Sequence, residues 1–183
     1  MNIQTTVVIP CFNEALGVKK TLSEIFHVFG DKKDFEVIAV DDGSSDETLT
    51  TLQEIASKTP ALRVLENKTN KGYGASLKKG ILVAKGNFIV ITDADGTYPA
   101  TFIPQLLERA KECQMAVGSR TGKNVNIPLL RRPAKWVLLK YARWMAKADI
   151  KDLNSGLRVF RKKDALPFLK KLVYESKISK SKI

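Results

Sequence analysis

Two aspartates stand one residue apart where a hydrophobic run ends. Phe88-Ile89-Val90-Ile91-Thr92 leads straight into Asp93-Ala94-Asp95-Gly96. Neighbouring carboxylates repel each other unless a cation holds them. A metal ion at a strand tip is the chemistry this spacing points to. Two earlier runs end in the same way. Asn13-Glu14 follows Thr5–Ile9, and Asp41-Asp42 follows Phe35–Val40. One site assembled from three loops accounts for all of them.

The elements that must position these residues alternate. Strand-like runs occur at Thr5–Ile9, Phe35–Val40, Leu62–Leu65, Asn87–Thr92 and Met115–Val117, and Pro10 is read as ending the first. Between them, apolar residues recur near every 3.6 positions: Val18, Leu22, Ile25, Phe26 and Phe29; Leu49, Leu52 and Ile55; Ala75, Leu77, Ile81 and Ala84; Phe102, Leu106, Leu107 and Ala110. Ser45-Asp46-Glu47 supplies cap-type residues and acid to the start of the second helix. Strand alternating with helix implies βαβ units, hence a parallel sheet with helices on both faces. In such sheets ligands bind outside the carboxyl ends of the strands, where the acidic tips fall.

The Asp93–Thr97 motif alone leaves two chemistries open. A haloacid-dehalogenase-type phosphatase also begins with a strand followed by D-x-D-G-T. There the first Asp is a nucleophile and the motif comes early. Here it follows the fourth strand, and the only later acidic pair, Asp149 and Asp152, ends a basic helix. The ordered set VVIPCFNEA, IAVDDGSSDET, NKGYGASLKKGILVAKGNFIVITDADGTYP, AVGSR and DLNSGLRVFRK favours the other chemistry. Over about residues 5–165 the chain resembles a family 2 glycosyltransferase of the GT-A fold. More narrowly it resembles the branch of dolichyl-phosphate mannose synthases and polyprenyl-phosphate glycosyltransferases.

That resemblance implies a Rossmann-like, mostly parallel central sheet flanked by helices in a single domain, residues 1–165. Residues 166–183 form a short basic C-terminal segment that stops before the further helix and basic arm usual in the branch. The implied activity is an inverting transfer of a hexose from a UDP- or GDP-sugar to a polyprenyl or dolichyl phosphate, a step of cell-envelope glycan synthesis. A saccharide or protein hydroxyl is the alternative acceptor. The implied cofactor is Mg²⁺ or Mn²⁺, because a departing diphosphate needs a hard divalent ion. Asp95 is the expected metal ligand, with Asp93 beside it on metal or ribose. Thr97 stands where the mannose synthases often carry glutamine, so water is left to fill a third place. Pro10, Phe12 and Glu14 are expected to line the base and ribose pocket, and Asp41 to accept a hydrogen bond from the base. Asp42 and Ser44 are read as turn caps. Gly72 and Gly74 mark a loop near the nucleotide. Arg120 faces a phosphate, and Arg131, Arg132 and Arg158 hold the acceptor phosphate. Asp152 and Ser155-Gly156-Leu157-Arg158 form the acceptor-side motif.

Composition sets the remaining bounds. With 183 residues, 44% of them hydrophobic, the chain is long enough for one domain with a sizeable core. Cys11 and Cys113 give no disulfide framework and read as small buried hydrophobes. His27 reads as structural. The start has no charged n-region, and no apolar run reaches the ~18 residues of a membrane span. The net charge of +12 is uneven. Residues 1–118 hold 13 Lys/Arg against 15 Asp/Glu; residues 119–183 hold 18 against 4. The last third therefore faces something anionic, or is a solvated basic face. From about Pro133, Val137, Tyr141, Trp144, Met145 and Ala148 fall on one side and Lys140, Arg143 and Lys147 on another, with Trp at positions 136 and 144, in an amphipathic basic pattern. It fits a helix in a membrane interface or one docked on the core. The expected location is cytoplasmic and peripheral on an anionic membrane surface. No zinc-finger or RNA-binding motif is present, so nucleic acid is not an expected partner. Nothing in the sequence sets an oligomeric state.

Overall fold

The computed structural model describes residues 2–118 and 155–169. They form β1 (Thr5–Cys11), α1 (Ala15–Phe29), β2 (Phe35–Asp41), α2 (Thr48–Lys58), β3 (Leu62–Glu66), α3 (Tyr73–Val83), β4 (Phe88–Ile91), α4 (Ile103–Glu112), β5 (Met115–Val117) and β6 (Arg158–Arg161). A short 3₁₀ turn, Ala100–Phe102, precedes α4. Residues 162–169 are helical. The sheet order is β3-β2-β1-β4-β6-β5. β1 pairs parallel with β2 and β4, and β2 with β3. β6 runs antiparallel to both β4 and β5. This is the mostly parallel, helix-flanked sheet that the alternating pattern implies.

Each face of the sheet has its own apolar layer, because successive strand residues point to opposite sides. Val7, Ile9, Val37, Ala39 and Val90 meet Val18, Leu22 and Ile25 of α1, Leu52 of α2, and Ile103 and Ala110 of α4. Val8, Ile38, Val40, Ile89 and Ile91 meet Ile81 and Ala84 at α3 and Phe160 of β6. Strands buried on both faces read as continuous apolar runs, which is why β1, β2 and β4 stand out in the sequence.

Three local expectations are corrected. Pro10 does not end β1, which continues to Cys11. Pairing with β4 stops at Val8, so at Pro10 the strand is an edge on that side and its missing N–H leaves no bond unmade. Phe102 is 52% exposed instead of sharing the inner face of α4. It sits in the 3₁₀ turn, whose tighter winding takes it off the helical stripe. Cys11 is buried as expected, but Cys113 is exposed just past the end of α4. Its thiol donates to the Arg109 carbonyl at 3.1 Å.

α1 approaches the β4 tip closely. A Cβ on Gly17 would lie 2.7 Å from the Ala94 carbonyl oxygen and 2.9 Å from the Asp95 Cα. The Thr21 hydroxyl donates to the same carbonyl at 3.0 Å. Gly17→Ala is therefore expected to lower stability by about 1–3 kcal/mol through overpacking against backbone. Gly74→Ala, whose Cβ would meet nothing within 4 Å, is expected to be neutral or to stabilise by up to about 1 kcal/mol. Urea denaturation of the two variants checks the contrast.

Candidate active site

The carboxyl ends of β1, β2 and β4 lie at one edge of the sheet, because the three strands are parallel. Their tips surround a pocket of about 400 Å³. Of the residues expected at the site, Pro10, Phe12, Glu14, Asp93 and Asp95 line it, and Asp41 does not. Asp42 and Tyr73 line it too, and neither was expected there.

The β1 and β2 tips are stitched together by main-chain groups. Asn13 adopts φ 55°, and its side-chain oxygen accepts the Ser45 N–H at 2.8 Å. The Asn13 N–H donates to the Ser44 hydroxyl at 3.0 Å, and the Glu14 N–H to the Thr48 hydroxyl at 2.8 Å. Asp46 Oδ1 accepts the Thr48 N–H at 2.9 Å, so the cap-type residue expected before α2 does act there.

Asp41 and Asp42 have distinct jobs. Asp41 Oδ2 accepts the N–H groups of Gly43 and Ser44 at 3.1 and 3.2 Å, so Asp41, and not Asp42, caps this turn. Asp41 is 1% exposed, and among the described residues its Oδ1 is buried without a hydrogen-bond partner. Asp42 faces the other way. Its Oδ1 accepts Asn67 Nδ2 at 2.7 Å and the Lys71 N–H at 3.0 Å, and its Oδ2 accepts the Gly72 N–H at 2.8 Å. Burial opposes ionisation of Asp42, but these donors outweigh it and hold its pKa below the ordinary carboxylate range. Alternation of neighbouring side chains explains the split: one Asp turns into the tip, the next onto the loop before α3.

The same alternation orders the β4 tip. Ala94 is buried in the core layer under α1, while Asp93 and Asp95 on either side of it reach the pocket. Asp95 is exposed, and its Oδ1 accepts the Thr97 N–H at 2.9 Å. Tyr73 Oη donates to Asp93 Oδ1 at 3.0 Å. The Ser155–Leu157 turn closes over Asp93: a Cβ on Gly156 would lie 2.0 Å from Asp93 Oδ2. The Gly156 N–H donates to the buried Tyr98 hydroxyl at 2.6 Å, so the motif that supplies the aspartates also holds this turn. Arg158 starts β6 opposite Ile91. Its guanidinium Nε donates to the Ser155 carbonyl at 2.9 Å, and its charge is felt at Tyr73. The structure thus brings the Arg158 charge within reach of Tyr73 on the pocket wall. Arg120, Arg131, Arg132 and Asp152, and the Trp136/Trp144 segment, lie outside the described residues. His27 is exposed on the last turn of α1, away from the pocket.

Burial first, and then the charges of Asp95, Asp46 and Asp93, push the Glu14 carboxyl above its ordinary value. Burial, Asp41 and Glu14 likewise push the Cys11 thiol up, so it stays protonated. The pocket is electronegative before any ligand enters. Among the described residues no group of three or more His, Cys, Asp or Glu side chains is arranged to hold a metal alone. Asp93 and Asp95 form a two-carboxylate oxygen donor set instead. That fits a hard divalent cation completing its shell with phosphate oxygens and water.

The profile of the family described as "Glycosyl transferase family 2" matches residues 6–166. The chain belongs to glycosyl transferase family 2. It is 32% identical over 166 residues to the dolichol-phosphate mannosyltransferase of Pyrococcus furiosus, covering 87% of this chain and 47% of that protein. It is 29% identical over 165 residues to the undecaprenyl-phosphate mannosyltransferase of Micrococcus luteus, covering 87% of this chain and 67% of that one. The chain spans about half the length of several relatives it matches, 47% and 56% for two dolichol-phosphate mannosyltransferases. Among solved structures it superposes on the mannosyltransferase PcManGT of Pyrobaculum calidifontis, described in complex with GDP-Man and Mn²⁺. The TM-score is 0.66 at 23% identity, over 92% of this chain and 47% of that one. The glucosyl-3-phosphoglycerate synthase of Mycobacterium tuberculosis gives 0.67 at 21% identity, over 88% and 57%. The family 2 fold is therefore the GT-A arrangement the motifs imply. The phosphatase reading is set aside: the family match covers the Asp93–Thr97 motif itself.

Sequence reasoning missed Tyr73, Asn67, Tyr98 and the space-making Gly17. Only Tyr73 carried a signal, an aromatic at the first position of α3. Since Glu14 is held ionised against a penalty, Glu14→Gln is expected to raise the melting temperature in EDTA at neutral pH. The penalty is full above the raised pKa and absent below the ordinary carboxylate range. The gain must therefore shrink as pH falls through that window, which calorimetric melts in EDTA at several pH values read directly.

Proposed function

We propose that this chain is the donor-binding and transfer domain of an inverting glycosyltransferase that moves a hexose from a UDP- or GDP-sugar to a polyprenyl phosphate. One observation carries the reading most directly. Asp41, the register partner of the pocket-lining Cys11, has a buried Oδ1 with no hydrogen-bond partner among the described residues. A buried acceptor needs a donor, and a nucleobase ring N–H supplies one. Phe12, 46% exposed on the pocket lining, offers an aromatic face nearby. The relatives named as dolichol- and undecaprenyl-phosphate mannosyltransferases support the acceptor class.

In this reading Asp41 and the Pro10–Glu14 turn hold the nucleoside, and Asp93 and Asp95 face the diphosphate. Bound between those carboxylates and the diphosphate, Mg²⁺ or Mn²⁺ would act as a Lewis acid that offsets the leaving group's charge. Arg158, with Arg120, Arg131 and Arg132, positions the acceptor phosphate, since guanidinium binds phosphate bidentately. An oxygen of that phosphate attacks the anomeric carbon as the bond to the nucleoside diphosphate breaks on the opposite face. No proton need be removed, because a phosphate monoester with a second pKa of ~6 is already largely dianionic at neutral pH. A hydroxyl acceptor would instead need a base within reach. Asp152 is kept as a residue of the acceptor side. Residues 1–165 carry this chemistry, and 166–183 add a short basic segment. Among the described residues no helix is long and apolar enough to cross a membrane. The basic excess of residues 119–183 supports a peripheral cytoplasmic position on an anionic membrane surface.

Two measurements test the reading. Nucleoside diphosphate binding by calorimetry is expected to weaken strongly in EDTA, and Asp95→Asn to lose most of the metal effect; equal affinity with and without metal would sink the donor-site assignment. Radiolabelled sugar is expected to pass to a short polyprenyl phosphate but not to the matching polyprenol. Arg158→Ala should raise the acceptor KM with little change in nucleotide affinity. Transfer to the polyprenol, with the phosphate inert, would favour the hydroxyl-acceptor enzyme.

A further inference from the structure

Tyr73 is the side chain at the pocket that the proposed reaction leaves without a task. It is the first residue of α3, its ring is 50% exposed on the pocket wall, and its hydroxyl reaches Asp93 Oδ1 at 3.0 Å. A surface tyrosine held so loosely would ordinarily swing free, but the backbone that delivers this one is anchored. Asp42 collects the N–H groups of Lys71 and Gly72, the two residues just before it. Asn67, 4% exposed, donates to Asp42 at 2.7 Å and to the Ser76 hydroxyl, one turn into α3, at 3.1 Å. Lys79 Nζ in turn donates to the Asn67 side-chain oxygen at 2.9 Å. A buried carboxylate at the β2 tip therefore fixes the start of α3, and α3 fixes the phenol against the β4 tip.

Burial, then the charge of Asp93 and the hydrogen bond to it, push the Tyr73 phenol well above its ordinary value. It is neutral at any working pH and acts as a donor. With Oδ1 engaged by Tyr73 and Oδ2 packed against Gly156, the Asp93 carboxylate has its rotation set from both sides.

We propose that Tyr73 is a positioning residue that orients Asp93 for the cation–diphosphate unit of the donor, and that Asp42 acts through it as a brace. The proposal rests on the donor-site reading above and extends it to a residue that acts through Asp93. Outer partners of a ligating carboxylate set its orientation, and their loss typically weakens metal affinity by about 10–100-fold. Tyr73→Phe keeps the ring and removes only the hydroxyl, so the fold is expected to survive; a melt beside the parent verifies it.

The first arm uses metal-free crystals of both proteins. Asp93 is expected as one conformer bonded to Tyr73 in the parent, and rotated or split in Tyr73→Phe. An unmoved Asp93, or a parent in which the bond is missing, overturns the proposal whether or not nucleotide binds. The second arm titrates Mn²⁺ at fixed UDP or GDP by calorimetry. The Mn²⁺ concentration for half-maximal nucleotide binding is expected to rise about tenfold in Tyr73→Phe, while affinity at saturating Mn²⁺ changes little. Identical midpoints overturn the proposal. So does an equal loss at every Mn²⁺ concentration, which is what a merely structural wall residue would produce. A parent that binds nucleotide without any metal requirement sinks the donor-site reading instead, and the crystal arm still decides the task of Tyr73.

Discussion

Like charges are crowded at one edge of this sheet, and the rest of the structure is organised around holding them there. Parallel pairing of β1, β2 and β4 leaves no choice: all three strands end on the same side, so Glu14, Asp41, Asp42, Asp93 and Asp95 converge. In water such a cluster would disperse. Here the strands beneath it are buried on both faces, and their apolar layers supply the stability that the tips do not. The upward displacement of the Glu14 pKa by Asp95, Asp46 and Asp93, beyond the effect of burial, is the residue of that repulsion. Crowded negative charge of this kind favours a cation.

The carboxylates divide by how their oxygens are satisfied. Asp42 is saturated by an amide side chain and two main-chain N–H groups, and its pKa falls. It behaves as structure: a buried anion whose donors are all internal. Asp41 is half satisfied, one oxygen on the Gly43 and Ser44 N–H groups and the other buried with no partner among the described residues. Asp95 is exposed, with one oxygen on the Thr97 N–H. Moving from Asp42 to Asp41 to Asp95, internal partners give way to unused acceptor capacity. That gradient separates the carboxylate whose acceptors are spent on the fold from those with acceptors to spare.

The sheet was legible because doubly buried strands are nearly unbroken β-branched runs, and the tips were legible because they are acidic where such runs stop. Pro10 misled because proline is a breaker only where its N–H would have been used, and the end of β4 pairing at Val8 cannot be read from residue types. β6 had no acidic tip or turn signal of its own; only the resemblance marked its Arg-Val-Phe-Arg run. The turn cap was read at Asp42 and not at Asp41 because their difference is one of side-chain direction, and both fit an Asp-Gly-Ser turn on paper. The contacts of Asn67 and Tyr73 were invisible for a related reason. Their partners lie 25 and 20 residues away, and a hydrogen bond across loops leaves no local pattern. Cys113 was misread because its type favours burial while its position, just past the end of α4, does not.

The antiparallel strand settles where the basic charge enters. β5 runs with β4 and ends at Val117; β6 runs against it and begins at Arg158, and these two residues are register partners. The Gly118 N–H donates to the Leu157 carbonyl at 2.9 Å, and the Ser155 hydroxyl to the Gly118 carbonyl, so the two ends are tied together. The chain therefore departs at Gly118 and returns at Ser155 on the same edge that carries the acidic pocket. Between those two ends lie residues 119–154, in which Lys and Arg far outnumber Asp and Glu. A purely parallel sheet would have returned that segment to the opposite edge. Reversing β6 puts both ends of that segment, Gly118 and Ser155, on the edge of the sheet that carries Asp93 and Asp95.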